Sequence, residues 1–265
     1  MGDAREDILG GIRRSLKRGP LGEAQAGELM QRLENPKPNL VPQRATSLDR
    51  AGQLDLFVDM AMEVQTTVER VASLDDVPEA VASYLASQNL PSEMVMAPDP
   101  QLDGIPWDKR PLLQIRRGKP EPRDAVGVSG CFAGIAETGT LMLTSGPEHP
   151  ATLNFLPDTH IVVVRDGQVV ATYEEAWAKL RQRQSGRAAE GPMPRTVNFV
   201  TGPSRTGDIE QRIQLGAHGP RRLHLVVVDP SGAKKTGDET ATAETKKPRP
   251  SRRKKAVSAA AASEA

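Results

Sequence analysis

The sequence predicts an α/β fold, a largely parallel sheet flanked by helices, from three observations. Short apolar runs alternate with helical patterns along most of the chain. Two of these runs, Ile161-Val-Val-Val164 and Leu225-Val-Val-Val228, are continuously branched or aliphatic, as in strands covered on both faces. Glycines, hydroxyls and charged groups gather in short segments beside such runs, as in the loops at strand ends where open sheets bind ligands.

Residues Arg5 to Lys17 place Ile8, Leu9, Ile12 and Leu16 on one helical face. A helix this short is marginal alone and needs a surface, either its own domain or a partner. The prolines from Asn35 to Pro42 read as an extended linker. Leu54, Phe57, Val58, Ala61, Met62 and Gln65 support a helix over Gln53–Thr67, followed by a short strand at Val68–Val71 and a helix at Val77–Gln88 with Val81, Tyr84 and Leu85 on one face. Met94–Ala97 and Leu112–Ile115 are further strands. Five more are expected at Ala125–Val128, Gly139–Thr144, His160–Arg165, Thr196–Val200 and Leu223–Val228, with a helix from Tyr173 to about Gln182 and a mobile loop from Gln184 to Pro194. Residues 1–40 thus form an N-terminal helix and linker, 41–230 the α/β domain, and 231–265 a disordered tail too poor in large apolar groups to offset chain entropy.

At 265 residues the chain can bury a sizeable core, and with 37% hydrophobic but only 3% aromatic residues that core is aliphatic. No apolar stretch approaches a membrane span, and Met1 to Leu21 is charged rather than signal-like, so a soluble, cytoplasmic protein is expected. From Ala233 to Ala265 there are nine basic and four acidic residues, a net of +5 in a chain of net +1, which leaves the body at −4. The tail reads as a solubilising segment rather than a nucleic-acid-binding one. Cys131 is the single cysteine, so no disulfide within the chain and no four-thiolate iron–sulfur cluster is expected. His149, His160, His218 and His224 lack metal-site spacing; no tightly bound metal is expected, and the first, second and fourth read as structural or solvent-facing.

Three segments carry candidate chemistry. In Ile135-Ala-Glu-Thr-Gly-Thr-Leu141, Gly139 permits a turn flanked by Thr138 and Thr140, whose donors could face an anion. Glu137 is there a general base or nucleophile, a helix cap, or the ion-pair partner of Arg205. In Thr201-Gly-Pro-Ser-Arg-Thr-Gly-Asp-Ile-Glu210, Gly202 and Ser204 lead from a strand to an expected helix running through Ile209 and Ile213. Ser204 or Thr206 would cap that helix, Asp208 would sit in its first turn, and Arg205 would add a bidentate fork for a carboxylate or phosphate. The alternative is that Ser204, Thr206 and Asp208 only cap, with Arg205 held in an ordinary ion pair. In Ala217-His-Gly-Pro220, His218 is a proton donor, a ligand contact or a local hydrogen-bonding residue. All three segments are expected to meet in one cleft at the carboxyl ends of parallel strands.

The order of these motifs resembles the lactate-utilisation protein C family, the LUD-domain proteins, and the resemblance extends back to Ile8-Leu-Gly-Gly-Ile-Arg-Arg-Ser-Leu16 and forward to Asp229. Gly207 departs from the family's usual alanine. The resemblance implies a fold similar to ribose-phosphate isomerases and coenzyme A transferases. It also implies an accessory or substrate-handling subunit of an iron–sulfur-dependent L-lactate oxidation system, with no cofactor in this chain and two cysteine-rich iron–sulfur subunits as partners. Two rivals stand beside it: an autonomous isomerase- or transferase-like enzyme acting through Glu137 on a sugar phosphate or acyl thioester, and an assembly scaffold without a pocket.

Overall fold

The computed structural model describes residues 4–17, 19–37, 40–185, 193–206, 214–215 and 218–231, with backbone alone at 184–185, 205–206 and 214–215. The elements in chain order are helices α1 (Ala4–Ser15), α2 (Glu23–Glu34), α3 (Gln43–Thr46) and α4 (Arg50–Glu63), strand β1 (Thr67–Val71), helix α5 (Val77–Ser87), then β2 (Glu93–Met96), β3 (Gln114–Arg117), β4 (Val126–Gly130), β5 (Ala133–Ile135), β6 (Thr140–Thr144), β7 (Thr159–Arg165) and β8 (Val169–Val170). Helix α6 (Tyr173–Ser185) and strands β9 (Val197–Val200), β10 (Arg205–Thr206), β11 (Gln214–Leu215) and β12 (Arg222–Val228) complete the described fold.

Six strands form a parallel sheet in the order β1-β12-β7-β4-β2-β3. The two aliphatic runs lie at its centre, with Leu225 opposite Val162 and Val227 opposite Val164. Their alternation decides which side chain faces which helix. Ile161, Val163, Val226 and Val228 join the cluster under α5, whereas Val162, Val164, Leu225 and Val227 join the cluster under α4. Both faces are therefore covered, and each fully buried Val or Leu contributes about 2 kcal/mol from burial.

Helix α4 is started by Asp49, whose carboxylate accepts the Gly52 N–H at 2.8 Å. It buries Leu54, Phe57, Val58 and Ala61, an i, i+3, i+4, i+7 stripe. It stops at Glu63, short of the expected Thr67, because Gln65 takes a left-handed φ of +66° and Thr67 already pairs with β12. Helix α5 buries Val77, Ala80, Val81, Tyr84 and Leu85, and the Tyr84 ring stacks on His224 of β12 at 3.7 Å.

A second, four-stranded sheet was not foreseen. Its order is β8-β5-β6-β9, with β6 antiparallel to both neighbours and β5 parallel to β8. Leu141 and Leu143 of β6 turn toward α4, while Met142 turns toward Ala176 and Leu180 of α6. This sheet is thus sandwiched between α6 and the α4 layer of the parallel sheet.

Helix α1 forms where expected, but neither it nor α2 buries a residue, and Ile8, Ile12 and Leu33 stand exposed. No helix among the described residues is long and apolar enough to cross a membrane. Residues 38–39 of the expected linker, most of the loop expected from Gln184 to Pro194, and the tail from residue 232 onward lie outside the described residues.

Candidate functional site

Gly139 is the pivot of the first motif. Its φ is +63°, and a Cβ there would stand 2.2 Å from the Ala61 nitrogen and 2.5 Å from the Met60 carbonyl carbon. The turn between β5 and β6 therefore lies directly on the backbone of α4, an approach available only to glycine. Gly202 repeats the device with φ of +76° and a virtual Cβ 2.6 Å from the Val64 carbonyl oxygen. The first two motifs thus dock side by side on the C-terminal end of α4.

Between them lies a cluster of four hydroxyls. Thr140, which has no exposed surface, places its Oγ1 2.7 Å from Thr138 Oγ1, 2.7 Å from Thr201 Oγ1 and 3.0 Å from the Tyr173 hydroxyl. Thr138 donates to Tyr173 at 3.1 Å. Each hydroxyl has one proton and two acceptor positions. Four contacts among four hydroxyls consume every proton, and Thr140, with three neighbours, has no capacity left. The cluster joins the strand β6, the end of β9 and the start of α6, and a ligand could take a proton from it only by displacing an internal partner.

Glu137 caps a helix. Its Oε1 accepts the Tyr173 N–H at the start of α6 at 3.0 Å. Beside it Thr172 Oγ1 accepts the Glu175 N–H at 3.3 Å, and Glu175 Oε2 accepts the Ala171 N–H at 2.9 Å. A carboxylate among the unpaired amides of a helix start is held by hydrogen bonding and by the helix dipole.

The second and third motifs are tied together at Ser204, whose N–H donates to the Pro220 carbonyl at 2.8 Å and whose Oγ accepts the His218 N–H at 3.2 Å. His218 is exposed. The helix expected after Thr206 does not run on toward Gly216, since Gln214–Leu215 is a strand, and residues 207–213 of its range lie outside the described residues. Arg205 pairs with Leu215 and Thr206 with Gln214 in an antiparallel ribbon, so the residue that follows Ser204 is in a strand and Ser204 does not begin a helix. Asp208 lies outside the described residues, as do the side chains of Arg205 and Thr206.

The convergence is at the amino edge of the parallel sheet, not at the carboxyl edge expected. Pro220 lies just before β12 begins, and Gly202 rests on Val64 just before β1 begins. The Glu-Thr-Gly-Thr turn closes an antiparallel hairpin between β5 and β6 of the second sheet and does not lie at the end of a strand of the parallel sheet. A cleft of about 470 Å³ at the amino ends of β2 and β3, lined by Glu93, Met94, Gln114, Ile115 and Arg116 among others, includes no motif residue.

The remaining titratable groups sort by burial. His160 donates to or accepts from Ser129 Oγ at 2.8 Å, His224 is 2.9 Å from Thr67 Oγ1, and burial pushes both imidazoles down to about 4. Cys131 is buried, and desolvation pushes its thiol up to about 12, so it is no nucleophile. Asp99 is buried, accepts the Gln101 N–H at 2.9 Å and turns its other oxygen toward His149 Nε2 at 3.3 Å. That pair, together with Tyr173 and Thr201 of the hydroxyl cluster, escaped the sequence reading because the partners lie tens of residues apart with no local pattern linking them. Among the described residues no group of three His, Cys, Asp or Glu is arranged to hold a metal ion.

Residues 124–228 match the model of the LUD domain. An uncharacterized protein of Neisseria meningitidis is 38% identical over 104 residues, 39% of this chain, and a lactate utilization protein C of Geobacillus thermodenitrificans is 36% identical over 103 residues; each match spans 42% of the relative's length. A lactate utilization protein C of Deinococcus radiodurans is 31% identical over 185 residues, covering 68% of this chain and 82% of that protein. The chain belongs to the lactate utilization protein C family of LUD-domain proteins. Consistent with this membership, a crystal structure of a DUF162 family protein from Deinococcus radiodurans superimposes with a TM-score of 0.51 at 28% identity, covering 69% of this chain and 99% of that one. All three motifs of this LUD-domain chain fall inside the matched range.

Proposed function

We propose that the chain serves lactate utilisation as an accessory or substrate-handling subunit of an iron–sulfur-dependent L-lactate oxidation system in the cytoplasm, binding a small carboxylate or phosphate at the motif cluster. The observation that carries this reading is the docking of all three motifs along one edge, through Thr140 to Thr201 and Ser204 to Pro220. Family membership, with relatives named lactate utilization protein C, supplies the pathway. The one cysteine, Cys131, cannot supply the four thiolates of an ordinary cluster, so the electron-carrying clusters belong to two cysteine-rich partner subunits. Ligand contact falls to Gly202, Ser204, Arg205, Thr206, Asp208 and His218, with Thr138 and Gly139 at the border. Thr140 holds the cluster together. Glu137, engaged by the Tyr173 N–H, supports the helix-capping role over that of a base or nucleophile in an isomerase- or transferase-like enzyme.

Deletion of the gene in its host should abolish growth on L-lactate as sole carbon source while growth on glucose is retained. Complementation with the wild type or with Glu137→Gln should restore it, whereas Arg205→Ala should not. Normal growth of the deletion strain on L-lactate would end the reading, and failure of Glu137→Gln alone would revive the Glu137-dependent enzyme.

A further inference from the structure

The opposite, carboxyl edge of the parallel sheet carries a feature that none of the motifs involves. Leaving β7, the chain turns through Asp166, Gly167 and Gln168. Two cations from different helices clasp that turn. Arg50, the first residue of α4, donates through Nη2 to the Asp166 carbonyl at 2.8 Å, and Lys179 of α6 donates through Nζ to the Gly167 carbonyl at 3.1 Å. Arg165, at the end of β7, donates to the carbonyl of Gln101 beyond β2.

None of these three cations has a carboxylate within ion-pair distance among the described residues. Carbonyl oxygens orient a cation without neutralising it. The nearest acid in sequence, Asp166, turns its carboxylate onto the Gly167 N–H at 2.6 Å, and Asp49 is engaged as the cap of α4. Lys179 is half-buried, and burial first, then the like charge of Arg50, hold its ammonium below the ordinary lysine range. The N-terminus of α4 adds partial positive charge at the same place. Gly167 is exposed, and the atom nearest to its virtual Cβ is Arg50 Nη2 at 4.0 Å, so the outer face of the turn is open between the two helices.

We propose that the Asp166–Gly167 turn is a second anion site, in which Arg50 and Lys179 exchange their carbonyl bonds for charge-assisted bonds to one oxyanion, a phosphate or a carboxylate, with Arg165 flanking it. Opposite charge would relieve the repulsion between the two cations, which the carbonyls only screen. The carboxyl edge is also where open α/β sheets ordinarily receive ligands. This site is independent of the motif cluster, which lies at the amino edge.

The test uses the full chain and three probes in separate calorimetric titrations: inorganic phosphate, pyrophosphate and L-lactate. Saturable binding of at least one is expected, weakening as salt is raised, with Lys179→Gln and Arg50→Gln each loosening it by about tenfold and Lys179→Arg largely retaining it. Preference for the phosphates assigns a phosphorylated ligand; preference for lactate assigns a carboxylate. Absence of binding at millimolar concentrations of all three, with the Gln variants merely lowering the melting temperature, would show the cations to be tethers of the turn and overturn the proposal. Binding unaffected by either Gln variant would place the anion elsewhere and overturn it equally. Neither result would touch the lactate-growth phenotype, which tests the motif cluster.

Discussion

Replacing Gly139 by alanine tests the docking of the first motif on α4. The substitution adds one methyl group in a place where the left-handed φ of +63° costs an L-residue about 1–2 kcal/mol. The added Cβ also meets main-chain atoms at 2.2 to 2.7 Å, a distance that no rotamer change can relieve. Backbone displacement of a packed element adds about 1–3 kcal/mol. The total of roughly 2–5 kcal/mol is a large share of the 5–15 kcal/mol typical of a folded domain. The melting temperature should fall by about 6–12 °C for a loss near 3 kcal/mol in a domain of this size. Urea unfolding followed by circular dichroism measures the loss, with Gly104→Ala as the comparison, since the nearest atom to a Cβ there is Leu74 Cδ1 at 3.6 Å. If the two variants differ by less than about 0.5 kcal/mol, within the range of ordinary surface changes, the turn does not press on α4 as described.

Thr140→Val removes a buried hydroxyl that three others share and should cost about 1–3 kcal/mol, while Thr201→Val, at the exposed end of the cluster, should cost less than half of that by the same unfolding assay. His160 and His224 stay neutral in the fold, with values near 4 against 6.5 when unfolded. The unfolded chain therefore binds protons that the folded chain refuses, so stability present above pH 6.5 should drain away as the pH falls toward 4; a flat unfolding midpoint between pH 6.5 and 5 would contradict their burial. Cys131, with a thiol raised to about 12 by burial, should resist iodoacetamide at pH 8 until the chain is unfolded, which mass spectrometry reads directly.

The central strands were legible because their signal is local: Ile161 to Val164 and Leu225 to Val228 need apolar partners on both faces wherever they sit. So were α4 and α5, whose stripes repeat at helical spacing. Strands β5 and β8 were not, since Ala133-Gly-Ile135 and Val169-Val170 are too short to show a period, and they pair only because α4 and α6 cover them. Missing them concealed the second sheet, and with it the edge at which the motifs gather. The glycines and hydroxyls of the motifs could be found in the sequence, but the partners that define their roles, Ala61 and Val64 for the glycines and Tyr173 for the threonines, lie tens of residues away. The ribbon of β10 and β11 was not legible because both strands are two residues long and are defined only by each other.

The contact between Gly139 and α4 also bears on how this family can diverge. The atoms that exclude a Cβ belong to the main chain of Met60 and Ala61, so they are the same whatever side chains those positions carry. A clash between side chains can be cured by shrinking the neighbour, and such pairs drift together. Here no exchange of amino acid on the helix can open the space, so a variant at position 139 has no second-site suppressor on α4 and must shift the helix itself. Position 139 is therefore constrained by the path of a neighbouring backbone, and glycine there should persist even where the sequences of α4 have diverged beyond recognition.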